Sequence, residues 1–307
     1  MMNTRVSHEG TNQGQMAQTA VPLLNIRTRI ERLDKLPPMP EMTRQIFQLS
    51  ADPDAHIAEL VKVVELDPSL AAQVMRYASS PFFSYRGKMD SLNTAISRVL
   101  GYNTVLNLAL GATAAKPFKI PRNVPLGLDN FWRHAVFSAA IVQALSSALP
   151  AEVRPPAGMA YLAGLLHNFG HLLLGHLFRK EFLILNKFVA SEPDQAVDLI
   201  EHEVLGTDHG QIGAWLMQAW SLPEEVVIAA REHHNEHYQG PHAIFPQLVL
   251  VADRLLKAQG IGDAPSGDLP QALLDSLEIG EYQVMSLTNK IFDGGEGLEA
   301  MARQFAS

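Results

Sequence analysis

The sequence lacks cysteine, long apolar runs and runs of basic residues, and each absence excludes a class of protein. Without cysteine, disulfides, thiol nucleophiles and thiolate metal ligands are excluded, and a reducing cytoplasm is the expected location. No apolar stretch approaches the roughly 18 to 20 residues that cross a bilayer, so no membrane contact is expected. The net charge of −8 argues against a nucleic-acid partner, because phosphate binding needs clustered Lys and Arg.

Helical periodicity dominates the chain, and no convincing strand alternation is present. The 307 residues suit one large domain or two smaller ones. We predict an all-α fold of two lobes, with an amino-terminal helical lobe over residues 23–116 and a second lobe over 131–307. The three prolines of residues 117–130 mark the linker between them. Residues 1–22 are polar and predict a disordered tail.

Capping residues predict where several helices begin. Asp67, followed by proline, is a good N-cap with proline at the first helical position. Asp129 is the expected cap of the helix that carries His134. The spacing of Ser221 and Glu224 is that of a capping box, which predicts a further helix start.

Histidine is concentrated in the second half, where ten of the twelve histidines lie within residues 134–242. Residues 163–177, AGLLHNFGHLLLGHL, read as one apolar helix. On such a helix His167 and His171 are four residues apart and share a face. The pair can seat a metal ion between two imidazoles, or each ring can be hydrogen-bonded inside the core.

Asp253 is the acidic candidate, because it interrupts the apolar run LVLVADRLL. A buried acid needs a cation, a helix terminus or a metal as its partner. The alternative is a bond from Asp253 to Arg254 or to a nearby histidine. Imidazoles with one carboxylate suit a borderline divalent ion such as Fe, Mn, Zn, Co or Ni. The remaining imidazole candidates are His134, His209, His233 and His234.

Several long segments occur in an order that is typical of one known family. They are LPPMP, VVELDPSLAAQVMRYASSPFF, SLNTAISRVLGYNTVLNLAL, FWRHAVFSA, YLAGLLHNFGHLLL, EVLGTDHGQIGAWLMQAWSLPEEVV and AREHH. From about Leu33 to His234, and on through Asp253, the sequence resembles the HDOD family, the HD-related output domain of bacterial signalling proteins. The resemblance implies an all-α domain whose second lobe is similar to the HD and HD-GYP metal-dependent phosphohydrolases. HDOD members are generally regarded as non-catalytic signalling modules.

The resemblance also implies a set of metal ligands. In HD enzymes a His, an adjacent His-Asp pair and a distant Asp hold an ion, and HD-GYP enzymes add histidines for a second one. By position, His134 matches the first His, His167 the His of the doublet, and Asp253 the distant Asp. The positions that match the additional histidines are His209, His233 and His234.

The sequence departs from the HD pattern at positions that would take part in metal binding or catalysis. Asn168 stands where the doublet has Asp, His171 stands where HD-GYP enzymes have Lys, and the GYP tripeptide is missing. An amide offers a cation one neutral oxygen, whereas a carboxylate offers a full charge and two oxygens. We therefore expect a remnant site that binds Fe, Mn, Zn or Ni weakly or not at all.

Three functional hypotheses follow from these observations. The first is a non-catalytic signalling module that binds a protein partner or a small ligand. The second is a metal-dependent phosphohydrolase or phosphodiesterase that uses a single metal ion. The third is a helical scaffold without a ligand. The match to the HD pattern also predicts that His134, His167, Asn168 and His209 converge in one pocket, with Asp253 and His233 or His234 nearby.

Overall fold

The computed structural model describes residues 22–33, 36–52, 54–79 and 85–306. Within these ranges the elements are helices and no residue lies in a strand, which confirms the all-α prediction. The predicted tail lies outside the described residues except for Pro22. None of the helices in the described ranges combines the length and the apolar character that a membrane crossing requires.

Among its described residues, the amino-terminal half contains six helices and a π-helical turn over Ala95–Leu100. Asp67 caps its fourth helix as predicted, because its carboxylate accepts hydrogen bonds from the backbone N–H groups of Ser69 and Leu70. In chain order these helices are α1 (Ile26–Glu31), α2 (Glu41–Ala51), α3 (Ile57–Glu65), α4 (Pro68–Ala78), α5 (Leu92–Thr94) and α6 (Tyr102–Ala115).

The second half opens with the longest described helix, α7 (Leu128–Ala148). It is followed by α8 (Ala157–Leu166), α9 (Phe169–Leu177), α10 (Arg179–Ser191), α11 (Val197–Leu205), α12 (His209–Ala219) and α13 (Glu224–Glu232). The last four helices are α14 (Ile244–Lys257), α15 (Gln271–Ser276), α16 (Glu281–Asp293) and α17 (Glu296–Phe305).

Two of the predicted caps are wrong. The N-cap of α7 is Gly127, and Asp129 lies in the first turn, where its carboxylate binds Arg122 at 2.6 Å. The N-cap of α13 is Pro223, which makes no side-chain cap. Proline holds the extended conformation that precedes a helix, so Ser221 is not needed there and adopts a left-handed φ of 56° instead.

One of two clusters of buried apolar side chains continues across the predicted linker, and the division into two lobes stays a prediction. One cluster of buried side chains runs from Ile26 to Ala306 and includes apolar residues of residues 117–130. The indole Nε1 of Trp220, which follows α12, donates a hydrogen bond of 2.8 Å to the carbonyl of Pro37. The last helix, α17, packs against both α7 and α4. The two halves of the sequence are therefore held together by shared packing.

Candidate metal centre

The stretch 163–177 is two helices, so the prediction of one continuous helix is wrong. α8 ends before His167, and Asn168 is the N-cap of α9. The break lets α9 lie directly against α12: a Cβ at Gly170 would stand 1.8 Å from the carbonyl oxygen of His209. Only glycine permits this contact. His167 and His171 consequently belong to different groups of side chains.

His167 joins His134 of α7 and Asp253 of α14. His134 Nε2 lies 2.9 Å from Asp253 Oδ1, and His167 Nε2 lies 3.7 Å from the same oxygen. The Nδ1 of His167 donates to the carbonyl of Gly164 at 2.8 Å, which leaves its Nε2 with a lone pair. The three side chains therefore present two imidazoles and a carboxylate that could hold one metal ion.

A second group consists of His209, His233 and His234. The Nε2 of His209 lies 3.2 Å from that of His233 and 3.1 Å from that of His234. Imidazole nitrogens that share one ion lie about 3 Å apart, because their bonds to the metal are each about 2 Å long. The Nδ1 of His233 donates to the carbonyl of Ala230, so its Nε2 is also free to accept a proton or a cation.

Glu201, a buried residue of α11, orients two of these histidines. Its Oε1 lies 3.0 Å from His171 Nε2, and its Oε2 lies 2.6 Å from His209 Nδ1. Burial raises the pKa of Glu201, but His209 and His171 outweigh it and hold this pKa below its usual range. Burial opposes charge on His209 as well, yet Glu201 raises the pKa of His209 to about 9. A carboxylate behind a ligand histidine fixes which nitrogen faces the metal.

Asn168 lies between the groups and uses both protons of its amide nitrogen. Nδ2 is 3.0 Å from His134 Nδ1 and 3.0 Å from Oδ2 of Asp263, a residue of the segment that follows α14. Both neighbours accept hydrogen bonds, so this amide orientation is favoured over its flip. Asp263 Oδ2 is also 3.6 Å from His209 Nε2, and His171, His209 and Asp263 form a third group that could hold a cation.

Four buried polar atoms at the centre of this arrangement have no hydrogen-bond partner among the described residues. Such atoms are costly in a protein interior unless an ion or a water satisfies them. Burial and the neighbouring His233 also hold the pKa of His167 well below its usual value, so that ring is neutral and can bind a cation. The residues therefore fit a metal ion. The four atoms are His167 Nε2, Asn168 Oδ1, Asp253 Oδ2 and Asp263 Oδ1.

Two cavities are lined in part by residues of this centre. One, of about 240 Å³, is lined by His134, Asn168, His171 and Asp263, together with Phe131. The other, of about 170 Å³, is lined by His233, His234 and Asp253. The centre is otherwise closed, because nearly all its side chains are buried.

The structure brings together all the metal-site residues that were predicted from the sequence. We call these residues, together with Glu201 and Asp263, the histidine–carboxylate cluster. Its members are His134, His167, Asn168, His171, Glu201, His209, His233, His234, Asp253 and Asp263. The alternative reading of Asp253 is partly right, since it bonds to His134 but not to Arg254, which binds Glu236. Glu201 and Asp263 were missed. Glu201 sits among other acids in VDLIEHEVL, and Asp263 sits in a Gly- and Pro-containing segment, where acids usually face solvent.

Two solved structures are similar to this chain over about nine tenths of its length. A Marinobacter aquaeolei VT8 protein, classed by inference as a signal transduction protein, is 35% identical, with a TM-score of 0.84 over 92% of this chain and 65% of its own. A Shewanella amazonensis SB2B protein, classed by inference as a phosphohydrolase, is 20% identical, with a TM-score of 0.69 over 90% of this chain and 97% of its own. The second likeness, at this identity, shows the fold alone.

A curated relative of uncharacterized function from Treponema pallidum (strain Nichols) is 26% identical over 84% of this chain. The chain spans 49% of that relative's length and less than two thirds of the Marinobacter protein. The sequence model of the HDOD domain matches residues 36–236, which is more than half of the chain. Asp253 and Asp263 lie beyond the matched residues. The chain belongs to the HDOD family.

Proposed function

We propose that this chain is a non-catalytic regulatory module of bacterial signalling. In this proposal the histidine–carboxylate cluster holds a divalent metal ion, and the module acts on a protein partner or a small ligand. A cytoplasmic location belongs to the same proposal, because a sequence without cysteine suits a reducing compartment. The resemblance to a protein classed by inference in signal transduction supports the regulatory role.

The observation that carries the proposal is the placement of the Asn168 amide. Its nitrogen faces His134 and Asp263, so the position between the ligand groups presents N–H donors instead of negative charge. A bound metal could polarise a phosphoryl oxygen or acidify a water, but both need a coordination position that is open to substrate or water. Asn168 instead ties its neighbours together by hydrogen bonds. The chain's own residues thus support binding better than turnover.

His134, His167 and Asp253 would form one set of ligands for an ion, and His209, His233 and His234 would form another. Glu201 keeps the Nδ1 proton of His209 in place, and backbone carbonyls do the same for His167 and His233. Each Nε2 is then directed into the cluster before any ion arrives. This pre-arrangement supports affinity for a cation, because little conformational freedom is lost on binding.

A metal-dependent phosphohydrolase that uses one ion is the second candidate. The group of His134, His167 and Asp253 favours it, because its ligand atoms lie within 4.8 Å of one another and all three residues are buried. This activity would require substrate to reach the ion through one of the two cavities.

The test is metal analysis and phosphoester turnover on the full chain, purified without a His-tag. We expect Mn, Fe or Zn to remain after dialysis, with no hydrolysis of bis(4-nitrophenyl) phosphate above the rate of the free ion. The variant His167→Asn should lose the metal, while the control His237→Asn, at an exposed position, should keep it. Turnover by the wild type that disappears in His167→Asn would establish the phosphohydrolase instead. A wild type that retains no metal would refute the metal-binding part of the proposal.

A further inference from the structure

Asp263 is a buried carboxylate in a segment that is not itself helical. It lies between α14 and α15, and its side chain is 2% exposed. The flanking residues Ile261 and Ala264 are buried as well, and the carbonyl of Asp263 accepts a hydrogen bond of 3.4 Å from the backbone of Val197. These contacts anchor the segment on both sides of the carboxylate. The side chain therefore points into the cluster because its backbone is fixed there.

Gly262 explains how the backbone can come so close. Its φ is +89°, and a Cβ at this position would lie 2.9 Å from His134 Nε2. Any other residue would combine a strained left-handed backbone with a clash against the imidazole. The segment thus passes directly over the His134 ring and delivers the next side chain to the centre.

The two oxygens of Asp263 face different parts of the cluster. Oδ2 contacts Asn168 Nδ2 at 3.0 Å and lies 3.6 Å from His209 Nε2. Oδ1 lies 4.0 Å from His134 Nδ1 and has no hydrogen-bond partner. The carboxylate of Asp263 thus lies between the imidazoles of His134 and His209, beside the uncharged amide of Asn168.

We propose that Asp263 supplies the anionic ligand that Asn168 does not, and so completes a cation site with His171 and His209. This inference rests on the proposed metal binding and assigns the missing charge to a residue outside the matched family region. Together with Asp253, Asp263 gives the cluster two carboxylates that can neutralise a divalent ion. Asn168 then acts as a positioning residue, since its amide donates to Asp263 Oδ2, the oxygen that lies 3.6 Å from His209 Nε2.

The experiment compares three variants of the full chain by calorimetric titration with Mn²⁺ and Zn²⁺. Asp263→Asn should weaken binding by about 10-fold or more, because it removes the charge with little change of shape. The control Asp268→Asn removes an exposed carboxylate of the same segment and should bind as the wild type does. The exchange variant Asn168→Asp/Asp263→Asn returns a charge to the cluster and should recover most of the lost affinity. Circular dichroism of each variant without metal checks that the fold is retained.

Each outcome decides the inference. Loss of affinity in Asp263→Asn with recovery in the exchange variant supports it, even if the single variant is less stable. Equal binding by wild type and Asp263→Asn refutes the role of Asp263 while leaving the proposed metal binding intact. Binding that is lost in both the single and the exchange variants shows a structural requirement for Asp263 and also refutes the inference. A wild type that binds neither ion refutes both proposals.

Discussion

Replacing Asn168 by Asp should make the metal-free protein less stable and make its stability depend on metal. The new oxygen would stand about 3.0 Å from Asp263 Oδ2, the present distance to the amide nitrogen. At an effective dielectric constant of about 20, two unit charges at this distance repel by about 5.5 kcal/mol. Protonation of one carboxyl limits the cost at pH 7 to about 4 kcal/mol, since its ordinary pKa is about 3.9.

His134 offsets part of this destabilisation, because its Nδ1 lies 3.0 Å from the altered group and can take up a proton to form an ion pair with the new carboxylate. We therefore expect a net loss of about 2 to 4 kcal/mol at pH 7, and a smaller loss near pH 5, where protonation is cheaper. The melting temperature of the metal-free variant should fall by roughly 5 to 10 °C. Bound metal removes the repulsion, so the variant should gain more on metal addition than the wild type.

The assay is a thermal melt at pH 7 and pH 5, with and without Mn²⁺ or Zn²⁺. The matched control is Asn186→Asp, which also places a carboxyl at a buried amide position but lies outside the cluster. It should destabilise the protein without creating a larger response to metal. An Asn168→Asp protein that is as stable as the wild type at pH 7, or that gains no more from metal, would refute the account of this position.

Three further predictions concern the surroundings of the cluster. Glu201→Gln should weaken metal binding by about 10- to 100-fold in calorimetry, because its two histidine partners lose the charge that orients them. Without metal, the free energy of unfolding in urea should decrease as the pH is lowered below about 6.5, the ordinary pKa of histidine. Burial holds the pKa values of His167 and His233 well below that value, so only the unfolded chain takes up those protons. The loss is up to about 1.4 kcal/mol per pH unit for each histidine. An unchanged urea midpoint between pH 7 and 5.5 would contradict this. Gly262→Ala should lower the melting temperature more than Gly260→Ala, since both have positive φ but only Gly262 lies against an imidazole; equal effects would mean that the imidazole contact is unimportant.

The sequence was sufficient for the helical class and for most of the cluster. His134 lies on α7, His167 caps the end of α8 and His209 begins α12, so at the level of sequence only the resemblance to a known order of motifs links them. The capping signals were less reliable: Asp67 caps α4, whereas Asp129 binds Arg122 instead of capping α7. A local capping preference is worth only about 1 kcal/mol, so a nearby ion pair or a proline can override it.

Glu201 and Asp263 could not be identified from the sequence, because their burial depends on contacts between distant segments. Glu201 becomes an interior residue only when α11 packs beside α12, and Asp263 only when its segment crosses over α7. Similarly, no local signal distinguishes the break at His167 from a continuous apolar helix. The break follows from the close approach of Gly170 to α12, which is a tertiary contact.

The helix α12, a rod of 11 residues, joins the cluster to the amino-terminal half. His209 is its first residue, and Trp220, just beyond its end, is hydrogen-bonded to Pro37. With a rise of about 1.5 Å per residue, the rod is roughly 16 Å long. A tilt of this helix that follows the seating of an ion at His209 would therefore displace the indole at the far end. A displacement of His209 would in this way be transmitted along α12 to the residues around Pro37 at the beginning of the domain.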